Sequence, residues 1–148
     1  MTFDPAKPAH ARVLERLRSE RIAWLTTVTP DGQPQTIPIW FLWLDADDPS
    51  AADGEILVYG DRRARRNRNL ESNDRVTLAL RTDEHGNDVA VIEGRAAMDP
   101  DYPQVYDNPA YLAKYGASIE ENLGGPRHMA ETYDVPIRIR PTRVIAYG

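Results

Sequence analysis

The chain has 148 residues, 41% hydrophobic and 28% charged, enough for one hydrophobic core and unlike a disordered composition. It has no cysteine, which excludes disulfide scaffolds, thiolate metal sites and cysteine nucleophiles, and no apolar run near the ~20 residues of a membrane helix. Eighteen basic against 23 acidic residues give a formal charge of −5, which argues against a nucleic-acid partner; with no signal-like apolar segment at the start, a cytoplasmic protein without a membrane partner is expected.

The first predicted element is a helix. Val13, Leu14 and Leu17 form its apolar stripe, Pro8 suits its first turn, and Arg12, Glu15, Arg16 and Arg18 take the outer face. From Ile22 the texture turns to strand. IAWLTTV is β-branched and aromatic, Thr29-Pro30-Asp31-Gly32 supplies a turn, and QPQTIPIWFLWL returns as a second antiparallel strand. Pro34 and Pro38 lack donors, so this strand belongs at an edge or leaves gaps in its ladder.

DADDPSAADGE is an acidic loop, but Pro49 and Ser50 stand where a calcium loop needs acidic and glycine residues, so no metal site is expected. EILVYG is a short strand. RVTLALRT is another, with Val76, Leu78 and Leu80 alternating inward, and after a turn at His85-Gly86-Asn87, VAVIEGRAAM is a long strand with a bulge at Gly94. Beyond Pro100 the pattern is helical. Tyr111, Leu112 and Tyr115 mark one helix, and Ile119 to Tyr133 a second, broken by Gly124-Gly125-Pro126. VPIRIRPTRVIAYG closes the chain as a strand with Ile137 and Ile139 on one face, Arg138 and Arg140 on the other. About six antiparallel strands without a βαβ rhythm predict a mainly β fold, a small barrel with appended helices, with residues 1–148 as one domain.

One segment breaks the acidic average. Arg62, Arg63, Arg65, Arg66 and Arg68 fall within seven positions, after a strand that ends in Gly60. With Asp61 as N-cap of a following helix, Arg62, Arg65, Arg66 and Asn69 share a face, and Leu70 anchors the helix to the core. Clustered arginines at a helix N-terminus repel one another and oppose its dipole, at ~0.3–1 kcal/mol each. A bound phosphate reverses both penalties, so the segment reads as an anion site. No nucleophile–base pair accompanies it: His10, His85 and His128 are scattered, and Ser50, Ser72 and Ser118 lack a nucleophile-elbow context, so no catalytic residue is assigned. Any redox chemistry then resides in a bound organic cofactor.

The stretches LTTVTPDGQPQTIPIWFLWL, ILVYG and RRNRNLESNDRVTLAL resemble the pyridoxamine 5′-phosphate oxidase-like split β-barrel superfamily, and within it the F420-dependent oxidoreductases. The resemblance runs over residues 12–98 and the closing strand. It implies that Arg66 stands where the family has a phosphate-binding Lys, and that Arg68-Asn69-Leu70 match its R-N-L. It also implies that the strand holding Gln35, Pro38, Ile39 and Trp40 lines a flavin or deazaflavin ring. Tyr59, Gly60, Asp61 and Arg62 then meet the ribityl and phosphate groups, and Tyr147 takes the place of a C-terminal aromatic. Asp74 departs from the family's Pro. Trp24, Trp40, Phe41 and Trp43 are candidate aromatic walls, Trp24 and Trp43 equally candidates for core or dimer contacts. Arg138 and Arg140 are candidates for a phosphate or an acidic tail. The function implied is an F420-dependent reductase passing a hydride to a small organic acceptor. An FMN-binding flavoprotein, or a non-enzymatic carrier of F420, FMN or haem, is the alternative. Arginines in excess of one phosphate's needs favour F420, whose tail is anionic, and the resemblance further implies a homodimer with cofactor sites at the interface.

Overall fold

The structure, a computed structural model, describes residues 2–46 and 53–148; the acidic segment read as a loop without metal lies largely outside the described residues. Strands form where apolar residues alternate. They are β1 (Ile22–Val28), β2 (Pro34–Trp40), β3 (Leu42–Leu44), β4 (Glu55–Gly60), β5 (Arg75–Ala79), β6 (Val89–Met98) and β7 (Val135–Tyr147). They make one antiparallel sheet in the order β2-β1-β5-β6-β7-β4-β3. Helices α1 (Pro8–Ser19), α2 (Arg65–Ser72), α3 (Pro109–Leu123) and α4 (Pro126–Thr132) are appended to it.

The topology corrects the strand count. QPQTIPIWFLWL is two strands in pairing, β2 and β3, at opposite edges of the sheet and separated by Phe41 alone. Two edges joined by one residue force the sheet to curl onto itself. The side chains still alternate through the junction: Ile39, Phe41 and Trp43 enter the barrel core, while Trp40, Leu42 and Leu44 pack outside it. Single-sequence alternation reveals such a strand but not its change of partner.

The barrel interior holds Leu25, Ile56, Val58, Leu78, Ile92, Ile137 and Ile139, with Val13 and Leu17 of α1 packed against it. Arg16, expected on the outer face of α1, is instead buried at 4% exposure. It donates to the carbonyls of Asp88 and Arg81, each at 2.6 Å, and pairs with Glu20, so its charge is satisfied inside. A second apolar layer joins the outward residues Leu57 and Tyr59 of β4 to Tyr111, Tyr115 and Ile119 of α3 and Met129 of α4. This double burial is why EILVYG is apolar on both faces. The boundary between the last helices also shifts: Ile119 lies within α3, which ends at Gly124 in the left-handed region (φ 70°) before Pro126 opens α4. The irregularity expected at Gly94 falls between Glu93 and Gly94, but the extra residue is on the other strand: the register passes over Thr142 of β7, and a Cβ on Gly94 would lie 2.7 Å from the Arg140 carbonyl oxygen.

Candidate functional site

The barrel is split where β2 and β4 face each other. β3 pairs with Glu55 to Leu57 of β4 and no further, and continuing that register would set Trp40 opposite Tyr59. Trp40 has by then turned to β1, where it pairs with Ile22. Proline cannot donate, so Pro34 and Pro38 take the non-hydrogen-bonded pairs of the β1 ladder, and by alternation so does Trp40. The backbone groups of Trp40 and the carbonyl of Pro38 therefore point away from β1, toward β4. A cleft of about 500 Å³ opens there, between Ile37 to Trp40 on one side and Val58, Tyr59 and Asp61 on the other. Tyr111 and Leu123 of α3, Met129 of α4 and Tyr133 close its outer wall.

Arg66 enters this cleft from α2. Its side chain is half-buried, and its Nε is buried without a hydrogen-bond partner among the described residues. Burial lowers its pKa, opposed by the nearby Asp61 carboxylate. Gly60 makes room for it: a Cβ there would meet Arg66 Nη2 at 3.3 Å and Ile137 Cδ1 at 3.0 Å. The cradle is thus a charged donor, desolvated at one end of a mostly apolar slot.

The helix around it starts later than predicted. α2 begins at Arg65, with Ala64 in the N-cap place and no side-chain cap. Asp61 instead closes a turn: its carbonyl accepts from Ala64 N–H at 2.9 Å, and its Oδ1 accepts from Arg63 N–H at 2.9 Å. Those contacts with Arg63 hold the Asp61 carboxyl below its usual range. Arg62 therefore lies off the helix and pairs with Asp134, rather than sharing a face with Arg65 and Arg66.

A second cleft of about 640 Å³ lies against α2, lined by Arg62, Arg63, Arg65 and Arg68 with Thr29, Pro30 and Gln35. Asn69 lines it too, and its Nδ2 donates to Gln35 Oε1 and Thr27 Oγ1, each at 2.9 Å, tying α2 to β1 and β2. The sequence-predicted site is thereby divided. Pro38, Ile39, Trp40, Tyr59, Asp61 and Arg66 line the first cleft; Gln35, Arg62, Arg65 and Asn69 line the second; Gly60 sits beneath Arg66.

Of the candidate aromatic walls, Trp40 alone lines the first cleft. Phe41 and Trp43 are core, and Trp24 lies exposed on the outer sheet face. Arg138 is engaged elsewhere, donating to Glu55 at 2.8 Å and Asp99 at 3.3 Å beneath the Tyr102 ring; Arg140 and Tyr147 are exposed and line neither cleft. The wall from α3 and α4 was not foreseen. The stripe Tyr111–Tyr115 signalled a buried helix face, but nothing in it signalled which strand it covers. Tyr59 donates its hydroxyl proton to Pro103 O at 2.8 Å and accepts from Asn108 Nδ2 at 3.0 Å; burial pushes its pKa up to about 12.

The family model described as pyridoxamine 5′-phosphate oxidase matches residues 9–147. No curated protein matches the sequence. Among solved structures, an FAD-binding protein from Mesorhizobium loti is 17% identical over 90% of each chain, with a TM-score of 0.64. An F420 reductase is 21% identical over 88% of this chain and 94% of its own, with a TM-score of 0.62. The haem storage protein of Vibrio cholerae is 17% identical over 96% of each chain, with a TM-score of 0.61. At these identities the likeness is one of fold: a mainly β, split-barrel architecture.

Proposed function

The chain belongs to the pyridoxamine 5′-phosphate oxidase family, and on that footing we propose that it is an F420-dependent reductase whose deazaflavin occupies the cleft at the barrel split. The observation that carries this reading is Arg66 Nε, buried and unpartnered at one end of the slot beside Gly60. A buried guanidinium donor without an acceptor costs stability, and an anionic oxygen of a ligand phosphate removes that cost. The slot's edges support a planar heteroaromatic ring, since backbone groups of Pro38 and Trp40 face it without a ladder partner. Tyr111, Leu123 and Met129 supply an apolar wall that excludes water from the ring. When bound, the cofactor supplies the hydride, and a small unsaturated or quinone-like acceptor takes it. FMN shares the ring, ribityl and phosphate portions. The second cleft favours F420 because Arg65 and Arg68 offer an anionic tail cations there, although Arg62 and Arg63 are paired with Asp134 and Asp61 and Glu71 shares the lining. Met129 on the cleft wall is a thioether of the kind that ligates haem iron, and it supports the carrier as the second reading.

Titration of the protein with F420, FMN and haem, followed by absorbance and fluorescence, tests the reading. F420 is expected to bind at micromolar concentration, and no binding there would sink the proposal. Arg66→Ala removes a charge-assisted contact of ~1.5–3 kcal/mol, so its F420 affinity is expected to fall by about tenfold to a hundredfold. Unchanged affinity would remove the anion-site reading of Arg66. Binding without turnover over a panel of quinones and enones would favour the carrier. Trp24 and Tyr147, exposed on the outer sheet face, support a homodimer, and the cysteine-free composition is compatible with a cytoplasmic setting. No helix of the described residues is long and apolar enough to cross a membrane.

A further inference from the structure

The β1–β2 ladder stops one pair early. After Ile22 opposite Trp40, the register calls for Arg21 opposite Phe41, and by alternation that pair would be hydrogen-bonded. The hydroxyl of Tyr115, from α3, stands in its place. It accepts from Phe41 N–H at 2.9 Å and lies 2.7 Å from both Arg21 O and Phe41 O. One phenol proton cannot serve two carbonyls. Lys114 Nζ donates to Phe41 O at 3.0 Å, which leaves the Tyr115 proton for Arg21 O. Neighbouring side chains of one helix thus satisfy three backbone groups at the residue where the strand leaves β1 for β4. The Tyr115 ring meanwhile stacks on the Trp40 indole, with centroids 4.8 Å apart and planes 7° from parallel. Trp40 forms the β2 rim of the split.

We propose that Tyr115 is a positioning residue, its hydroxyl a wedge that ends the β1–β2 ladder early and sets how far the Trp40 rim stands from β4. Burial pushes the Tyr115 phenol up to about 12, so the wedge keeps its proton at neutral pH. The inference rests on reading the split as the cofactor cleft, but its geometry is testable without any ligand. Tyr115→Phe keeps the ring and its stacking and removes only the hydroxyl. Phe41 N–H and Arg21 O, which the hydroxyl had bridged, are then left to pair with each other, and the ladder is expected to extend by one pair.

Two measurements decide the matter. In Tyr115→Phe, NMR of the ligand-free protein is expected to show a new amide–amide contact between Arg21 and Phe41. Its affinity for F420, or for FMN, is expected to fall by about tenfold or more, as the rim of a preorganised site is displaced. Lys114→Met leaves one phenol proton between two carbonyls and is expected to give a smaller loss in the same direction, which keeps the test open if Tyr115→Phe folds poorly. Loss of affinity without the new contact overturns the wedge, as does the contact without loss of affinity. If the wild-type protein binds neither F420 nor FMN, the functional reading fails, and the NMR contact alone then decides the wedge.

Discussion

Arg66 and Lys114 are both cations partly withdrawn from water, yet they stand in different positions. Arg66 Nε has no partner among the described residues; Lys114 is spent on Phe41 O and lies 4.0 Å over the Phe41 ring. Burial, with the Arg21 charge nearby, brings the Lys114 pKa down to about 8 from an unfolded value of 10.5. Between those values the unfolded chain binds more protons at this site than the folded one, so this group's contribution to stability rises with pH across the window. The wild type is therefore expected to gain stability relative to Lys114→Met as pH is raised from about 8 toward 10.5 in thermal unfolding. A constant difference across that range would contradict the shift. Tyr59 and Tyr115 have the opposite sign: burial raises both phenols to about 12, so their contribution to stability falls as pH rises from about 10 to 12. The Arg66 signal was legible from the sequence because clustered like charge is visible in composition. The burial of Arg16 was not, because its acceptors are backbone carbonyls more than sixty residues away along the chain.

At the scale of elements, α2 has weak ends and a strong middle. It lacks a capping side chain, but Asn67 Nδ2 holds the preceding turn through Asp61 O at 2.9 Å, and Asn69 ties the helix to β1 and β2. Asn69→Ala deletes two hydrogen bonds and leaves the buried Thr27 hydroxyl without that donor, so a loss of ~1–3 kcal/mol is expected in urea unfolding. Affinity for the proposed cofactor is expected to fall with it, since Arg66 is carried by the same helix. Stability within ~0.5 kcal/mol of wild type would show that α2 is held by Leu70 alone. Alternation makes the strands legible, and β1 and β4 lie where expected, whereas the bulge opposite Gly94 belongs to β7, whose residue Thr142 the register passes over. The start of α2 was misplaced because Asp61 suits an N-cap and an Asx turn equally, and local sequence does not choose between them. The split itself was hidden for another reason. It is a change of pairing partner at Phe41, and alternation is blind to pairing.

Across the whole molecule, the registers align one residue from each of five strands on the outward face: Pro38, Trp24, Ala79, Val91 and Ile145. Trp24 is 48% exposed and Tyr147, two residues beyond Ile145 on the same face, is 62% exposed. An apolar row this continuous on one face of a sheet is the signature of a surface that another body covers. A second copy is the occupant we propose, since a two-fold axis would lay each row against its mate and bury both indoles. The row begins at Pro38, which also lines the cleft, so the partner would stand at the mouth of the site. Trp24→Asp places an unpaired charge within that contact, while the exposure of Trp24 in one protomer makes the fold itself tolerant of the change. The wild type is expected to sediment as a dimer at micromolar concentration and Trp24→Asp as a folded monomer with weakened F420 binding. A wild-type monomer would remove the interface altogether. A Trp24→Asp monomer with undiminished affinity would confine each cofactor site to one chain, and Tyr147 would then have no role in it.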